Sequence, residues 1–285
     1  MKQIGLVLSG GLGKGAYQIG ALQALSHYFE PCDFQYVSAA SIGAINTYAY
    51  LTDHLKQAAR IWNDMDLKGH RHLLTSILKS DFIQKQVHEI TSSHTITPSF
   101  YVPLLELPGK ELHYCNLSRL SPDEVEQHLN ACVTLPFYCK GISIGSKLFY
   151  DGGVVDNIPV QPILQKDLDY VICMYFDDRN YLFENETSDQ KIIKLTFPDN
   201  HIIANSFNLS HEAIVYMMKT GYSRTYKTLS RIFSDGIDNT DSIYQKIAEH
   251  NQLLSGEKTP RLTCDVVISN LNRVTRKMMR HTDTI

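Results

Sequence analysis

Three short segments of the chain hold residues whose types and spacing could carry out chemistry together. The first, from Ser9 to Gly15, is rich in glycine and contains one lysine. The second is a run of small residues around Ser41, and the third begins at Asp151 and reads DGGVVDNIP. Backbone N–H groups can stabilise a developing negative charge, a serine hydroxyl can act as a nucleophile, and a carboxylate can accept a proton, so the three segments together could support acyl transfer through a covalent intermediate.

The glycine-rich segment follows a predicted strand, Gln3–Leu8, and opens a predicted helix, Gly15–Phe29. Glycines at such a turn let several N–H groups converge near a helix N-terminus, where negative charge is favoured. The same residues fit a dinucleotide-binding fingerprint, because Gly11–Ala16 matches G-x-G-x-x-A and Asp33 lies twenty residues after Gly13. A P-loop is excluded, since the lysine comes before the final glycine rather than after it.

Ser41 lies between a predicted strand, Phe34–Ala39, and a predicted buried helix, Ile42–Leu51. A nucleophile elbow needs small neighbours, because the serine protrudes from a tight strand-to-helix turn. Here Gly43 occupies the last position of the G-x-S-x-G pattern, but Ala39 replaces the first glycine. The alternative interpretation is that Ser41 only caps the following helix.

Asp151 is followed directly by Gly152 and Gly153, and it comes directly after a predicted hairpin, Ile142–Tyr150, that turns at Gly145 and Ser146. An acid before two glycines indicates a carboxylate on a tight turn with the backbone kept clear of it. Taken alone, the segment also fits an ordinary turn.

Composition narrows the class of protein. The 285 residues are 43% hydrophobic and 20% charged, which suits one large globular core. The net charge of −3 offers no electrostatic case for binding nucleic acid. The apolar stretch near the N-terminus is too short for a signal peptide, and no run has the length of a membrane span. The six cysteines form no C-x-x-C pair, which predicts reduced core thiols in a cytosolic protein: Cys32, Cys115, Cys132, Cys139, Cys173 and Cys264.

Alternating strands and helices in the first part of the chain predict a parallel sheet with helices on its faces. A helix is expected at His54–Met65, and the irregular residues 68–109 are interpreted as a lid or cap insertion or a surface excursion. We expect a single domain over residues 1–285, with the motifs within 4–160 and a C-terminal extension over 235–285. The later elements expected are Leu112–Leu117, Tyr170–Tyr175 and Lys191–Thr196 as strands, and Ser121–Ala131, Asn205–Phe233 and Thr240–Leu254 as helices.

The twelve histidines do not form a metal-binding motif. His211-Glu212 lacks the second histidine of H-E-x-x-H, and His70 and His72 supply only an alternating pair. We therefore expect no metal. The basic tail Leu271–Arg280 is interpreted as a solvated helix that could also touch an anionic membrane.

Taken together, the three segments resemble the patatin-like phospholipase family. That family has a glycine-rich oxyanion loop with a basic residue, a serine elbow about thirty residues later and an Asp-Gly-Gly turn. The continuation Asp156-Asn157-x-Pro159, the segment Ala131–Phe137 and, more weakly, Gly221-Tyr222 are also similar to it, so that the resemblance spans roughly residues 4–230. Leu12, where the family has a third glycine, and Ala39 depart from the pattern.

The resemblance implies an α/β fold, a three-layer α/β/α sandwich with a mostly parallel central sheet. It also implies a lipid acyl hydrolase in which Ser41 is the nucleophile and Asp151 the base, without a cofactor. The substrate would be a lipid ester, and the enzyme would be cytoplasmic, with peripheral contact at a membrane. The remaining site residues it implies are Gly10, Gly11, Leu12 and Gly13 for the oxyanion hole, and Lys14, Gly15, Gly43, Gly152 and Gly153 in support.

Two other functions stay open on the sequence. A patatin-type fold that only binds lipid or protein is favoured by the departures at Leu12 and Ala39. A dinucleotide-binding protein would use the Gly11–Ala16 loop but would leave Ser41 and Asp151 without a role.

Overall fold

The protein is described by a computed structural model. It describes residues 2–64, 87–91, 96–136, 139–176, 180–197, 210–254 and 259–260. The basic tail Leu271–Arg280, Cys264 and most of residues 68–98 lie outside the described residues.

Eight strands form the main sheet, and a short two-stranded sheet lies beside it. The strands are β1 (Ile4–Leu8), β2 (Phe34–Ala39), β3 (Ser99–Leu107), β4 (Glu111–Asn116), β5 (Ile142–Ile144), β6 (Lys147–Asp151), β7 (Tyr170–Tyr175), β8 (Tyr181–Leu182), β9 (Ile192–Thr196) and β10 (Thr259–Pro260).

The helices are α1 (Gly15–Leu25), α2 (Ile42–Leu51), α3 (Leu55–Asp64), α4 (Pro122–Cys132), α5 (Gln161–Leu164), α6 (Glu186–Asp189), α7 (His211–Ile232) and α8 (Thr240–Gln252). Residues 87–91 are helical as well. Helix α4 begins with the capping box expected from the sequence, because Ser121 Oγ accepts from Glu124 N while Glu124 accepts from Ser121 N.

The centre of the sheet is parallel, in the order β2-β1-β7-β9, and its far side is antiparallel. Strands β1 and β7 are buried on both faces, so that alternate residues enter two separate cores. Leu6 and Leu8 pack in the larger core with the long helices, whereas Val7 packs with Ile163 of the short α5 in the smaller one. These two covered faces confirm the predicted α/β sandwich with its mostly parallel sheet.

Strand β3 changes partner along one of its edges. Tyr101 pairs with Ser38 of β2 and with Asn116 of β4, while Leu104 pairs with Asp151 of β6. Because β4 pairs with the opposite edge from Tyr101 to Glu106, β2 and β6 share the same edge of β3, one after the other. Strand β2 runs parallel to β3 and β6 antiparallel to it, so that their C-terminal ends face each other.

Helix α1 is held against α7 at unusually close range. A Cβ at Gly20 would lie 1.9 Å from Met218 O, and a Cβ at Gly221 would lie 2.0 Å from Tyr17 O. The two backbones are therefore in direct contact through paired glycines. Since the glycine-rich segment leads directly into α1, the contact with α7 fixes the helix that follows this segment.

Two expectations from the sequence need correction. The C-terminal part of residues 68–109 is not irregular, because Ser99–Leu107 is the strand β3. Cys32 is exposed, and Cys115 and Cys139 are only partly buried, so only Cys132 and Cys173 are core thiols among the cysteines described. Within the described residues, no helix has both the length and the apolar composition needed to cross a bilayer.

Candidate active site

Ser41 occupies the turn between β2 and α2 in a backbone conformation that few residues adopt. Its φ of 52° and ψ of −134° lie outside the regions allowed without strain to an L-residue. Its side chain makes no capping hydrogen bond to the helix, which argues against the simple N-cap interpretation. The turn is tight, because a Cβ at Gly43 would lie 2.5 Å from Ser9 O. These are the features of a nucleophile elbow.

Asp151 ends β6, and its carboxylate is fixed from several directions. Its side chain is 2% exposed and accepts hydrogen bonds from Gly153 N at 2.8 Å and from the Ser41 hydroxyl. Its own N–H donates to Thr134 O at 2.8 Å. The structure therefore joins the predicted serine and acid directly, although they are 110 positions apart in the sequence.

The change of partner along β3 explains how these two residues meet. Ser41 follows the end of β2, and Asp151 is the last residue of β6, and these ends converge on the gap in the edge of β3. Pro103 lies in that gap, where it has no N–H to leave without a partner. A Cβ at Gly152 would lie 2.4 Å from Pro103 C, so only glycine allows the chain after Asp151 to leave the sheet so close to β3.

Burial alters the acidity of Asp151. Desolvation raises the pKa of its carboxyl from 3.8 to about 7, against the opposing effect of the hydrogen bonds from Ser41 and Gly153. A carboxylate with a pKa near neutrality is a stronger base than an exposed aspartate and is still ionised in part at pH 7.

The glycine-rich segment folds as a short turn of 3-10 helix, Leu12–Lys14, ahead of α1. Its first internal hydrogen bond runs from Lys14 N to Gly11 O, so the N–H groups that precede it, from Gly11 to Gly13, have no acceptor inside the turn. The N–H of Gly10, in contrast, donates to Asn157 O at 3.1 Å. Of these three residues, Gly11 and Leu12 line the candidate cleft, where their N–H groups can meet a ligand, whereas the predicted oxyanion residue Gly13 is buried and does not line it.

Leu12 has a φ of 49°, in the left-handed region where a glycine would carry no Cβ penalty. The departure from the family pattern at this position therefore introduces strain of roughly 1–2 kcal/mol without removing the N–H. The ring of Phe176 lies against the neighbouring Gly11, where a Cβ would come within 2.3 Å of it.

A cleft of about 280 Å³ opens over these residues. Apolar side chains and polar groups both line it, so that a hydrocarbon chain and an ester can be accommodated next to each other. Its lining comprises Gly10, Gly11, Leu12, Lys14, Ser41, Leu135, Asp151, Gly153, Val154, Asn157 and Phe176. Lys14 is only 3% exposed, so this lysine belongs to the cleft and not to the outer surface.

The other predicted supporting glycines keep the site compact. A Cβ at Gly153 would lie 2.9 Å from Asp151 Oδ1, and one at Gly15 would lie 2.8 Å from the ring of Trp62. Sequence reasoning missed four lining residues: Leu135, Val154, Asn157 and Phe176. The ACVTLPF and DGGVVDNIP segments contained the first three, but nothing in the sequence marked Phe176.

None of the histidines that the structure describes lines the cleft. His54 contacts Thr52 Oγ1, and His128 Nδ1 lies 2.6 Å from Glu124 O, both within their own local segments. Among the described residues that line the cleft, Asp151 is the carboxylate that accepts a hydrogen bond from Ser41.

The dinucleotide interpretation does not agree with the topology. Strands β1 and β2 are parallel, the glycine-rich segment follows the end of β1, and Asp33 precedes the start of β2. Asp33 is therefore at the N-terminal ends of the parallel strands, opposite the glycine-rich segment, and its carboxylate accepts from Glu30 N at 2.8 Å. A ribose-binding acid would have to lie at the C-terminal ends, next to the loop.

One group of residues in the described part of the chain could hold a metal ion: Glu106, Glu111 and His113. It lies on the β3–β4 hairpin. Lys147 Nζ already lies 2.7 Å from Glu106 Oε2, where it competes with a cation.

Comparison with known proteins shows which family the sequence is similar to. The model of the family described as patatin-like phospholipase matches residues 6–164. Lysophospholipase NTE1 of Cryptococcus neoformans is 28% identical over 188 residues, covering 60% of this chain and 11% of the relative. The corresponding protein of Debaryomyces hansenii is 23% identical over 210 residues, covering 65% and 13%. The chain thus spans about a tenth of the length of these relatives.

Solved structures with similar folds include VipD from Legionella pneumophila, with a TM-score of 0.40 and 12% identity over 88% of this chain and 74% of that one. The ExoU–SpcU complex of Pseudomonas aeruginosa gives a TM-score of 0.38 and 13% identity over 99% and 61%. The family model covers more than half of the chain, including all three motif segments, and the chain belongs to the patatin-like phospholipase family.

Proposed function

We propose that the protein is a serine acyl hydrolase that cleaves carboxylic esters of lipids through a Ser41–Asp151 dyad. The observation that carries this proposal is the hydrogen bond from a strained, cleft-lining serine to a buried aspartate. Membership of the patatin-like phospholipase family and the lysophospholipase relatives support lipid as the substrate class.

The proposed reaction begins when Asp151 accepts the hydroxyl proton of Ser41 while Ser41 Oγ attacks the ester carbonyl. The N–H groups of Gly11 and Leu12 stabilise the negative charge that develops on the carbonyl oxygen. When the ester C–O bond breaks, the alcohol leaves with the proton from Asp151, and the acyl group stays on Ser41.

Water completes the cycle. Asp151 takes a proton from a water molecule that attacks the acyl-enzyme, and the carboxylic acid is released as the Ser41 oxygen regains its proton. The apolar side chains of Leu12, Leu135, Val154 and Phe176 would contact the acyl chain. Lys14 would support the loop or contact a head group, because a cation at the start of a helix is otherwise unfavourable.

The first prediction tests the nucleophile. Ser41→Ala should abolish both fluorophosphonate labelling and fatty-acid release from mixed phospholipid and glyceride dispersions, because the reacting oxygen is gone. Ser38→Ala is the matched control: Ser38 is also buried, in β2, and its hydroxyl makes no hydrogen bond within the described part of the chain.

Labelling should be measured by gel fluorescence and hydrolysis by mass spectrometry of the lipid products. Undiminished labelling or hydrolysis by Ser41→Ala would show that another residue is the nucleophile. A wild-type protein without ester turnover would favour the binding module instead.

A further inference from the structure

Asn157 connects two parts of the site that are far apart in the sequence. Its backbone oxygen accepts from Gly10 N at 3.1 Å, and its side-chain Nδ2 donates to Gly10 O at 3.2 Å. Asn157, which follows the turn Asp151-Gly152-Gly153, therefore hydrogen-bonds to both the N–H and the C=O of Gly10 in the glycine-rich segment.

The asparagine side chain also fills the space between the two segments. A Cβ at Gly10 would lie 2.5 Å from Asn157 Oδ1, and a Cβ at Gly153 would lie 3.4 Å from the same atom. Asn157 is exposed and lines the cleft, so a change of its side chain does not open the core.

The hydrogen bond to Gly10 O has a consequence for the oxyanion donors. In a planar trans peptide, the C=O and the following N–H point in opposite directions. Since Gly10 O is held by Asn157, the orientation of the Gly11 N–H is fixed by the same bond. A donor that rotates away from the developing charge loses much of its contribution to the rate.

Asn157 is itself held firmly by the preceding residue. Asp156 is 3% exposed, its N–H donates to Gly152 O at 2.9 Å, and its Oδ2 accepts from Tyr114 Oη at 2.5 Å. Asp156 thus ties the segment after the base turn to strand β4, and Asn157 extends from a fixed position.

We propose that Asn157 is a positioning residue that sets the orientation of the oxyanion loop relative to the Ser41–Asp151 dyad. This inference rests on the proposed function. Asn157 acts through Gly10 and does not itself need to contact the reacting atoms.

The second prediction follows from this role. Asn157→Ala should lower kcat by about 10- to 100-fold, less than the loss of a whole oxyanion donor, while KM changes less than about threefold. The rate of fluorophosphonate labelling at Ser41 should fall in parallel. The pH at which activity is half-maximal should not change, because the contacts of Asp151 are untouched. The thermal unfolding temperature should stay within a few degrees of wild type.

Two further variants make the test specific. Asn157→Asp keeps the size of the side chain but, when ionised, has no donor for Gly10 O, and it should lose at least as much kcat as Asn157→Ala. Asn63→Ala is the matched control, because Asn63 is exposed and does not line the cleft, and it should behave as wild type.

Wild-type kcat in either Asn157 variant would overturn the inference, as would a loss confined to KM or accompanied by a shifted pH profile. The Ser41→Ala protein separates this failure from that of the proposed function. If Ser41→Ala is inactive while Asn157→Ala is fully active, only the role of Asn157 is wrong. If Ser41→Ala retains hydrolysis, the proposed function itself fails.

Discussion

Two residues of the site are in states that cost the folded protein free energy. Ser41 adopts a φ of 52°, and Asp151 is a carboxyl group that is 2% exposed without a cationic partner among its pKa-determining contacts. Strain of this kind persists only where the surrounding structure enforces it, and here β2, α2 and β6 do so. The same features present the hydroxyl to the cleft and make the carboxyl a better base.

The third prediction concerns pH and belongs to Asp151 alone. The base acts only when ionised, and burial raises its pKa to about 7. We therefore expect kcat/KM for a soluble ester to increase as pH rises from 5, to be half-maximal near pH 7 and to reach a plateau above it. Asp151→Asn should be inactive throughout, because the amide cannot accept the proton, and Ser41→Ala/Asp151→Asn should be little worse than either single variant.

The measurement is an initial-rate pH profile between pH 5 and 9 with a fluorogenic ester. A half-maximum near pH 4 would show that Asp151 behaves as an ordinary exposed acid. A well-active Asp151→Asn protein, together with one histidine variant as inactive as Ser41→Ala, would replace the dyad with a triad.

At the level of elements, the fourth prediction concerns the contact of α1 with α7. Gly→Ala in a helix normally stabilises it by about 1 kcal/mol. At Gly221 the added methyl would lie 2.0 Å from Tyr17 O, a backbone atom that cannot rotate away. Gly221→Ala should therefore destabilise the protein by about 1–3 kcal/mol or more, as overpacking does.

The matched control is Ser223→Ala, two positions along the same helix and exposed, which should be neutral or slightly stabilising. Denaturant unfolding followed by circular dichroism measures both variants. Equal stability of Gly221→Ala and wild type would mean that the two helices are not in close backbone contact.

The elements also show which parts of the fold could be predicted. Strands Phe34–Ala39 and Tyr170–Tyr175 and helix Ile42–Leu51 have the predicted bounds. Each is an apolar run that gives way to small or polar residues just after its last position, at Ala40-Ser41, Asp177 and Thr52-Asp53 respectively. Strand β3 could not be predicted, since Pro98, Pro103 and Pro108 indicate irregular structure. Pro103 is tolerated only because β2 and β6 leave a gap there, which is a property of the assembled sheet.

The candidate site, like the fold, has some residues that the sequence predicted and others that it did not. The spacing of the three motifs identified Ser41, Asp151 and the glycine-rich segment, each on a turn with local sequence signals. Phe176 and Asn157 reach the cleft through long-range packing against Gly11 and Gly10. No periodicity or composition encodes such a contact. Asn157 belongs to the DNIP segment, but only the structure shows its contact with Gly10 and places Phe176 in the site.

For the whole molecule, the site lies where the sheet changes from parallel to antiparallel pairing along β3. A continuous sheet edge would have satisfied the backbone and left no room for side chains, whereas the convergent ends of β2 and β6 leave a gap. Both cores adjoin this place, because Val102 and Leu104 of β3 belong to the larger core and Tyr101 of the same strand packs against the smaller one. The rigid sheet therefore positions a strained serine and a buried acid that could not be held by a loop alone.

The fifth prediction links the chemistry to the stability of the whole molecule. The pKa of Asp151 is about 7 when folded and near 3.8 when the chain is unfolded, so folding favours the protonated form. Stability contributed by this group is complete below pH 3.8 and is lost as pH rises through about 7, a difference of roughly 4 kcal/mol.

An asparagine at position 151 would carry no charge anywhere in this pH range. The free energy of unfolding of Asp151→Asn relative to wild type should therefore increase by up to a few kcal/mol as the pH is raised from 4.5 to 8. Urea unfolding at both pH values measures this change. Asp167→Asn, at an exposed carboxylate, controls for the general effect of removing an acid. A stability difference between Asp151→Asn and wild type that does not change with pH would mean that Asp151 is not held in a desolvated site, and its proposed strength as a base would lose its physical reason.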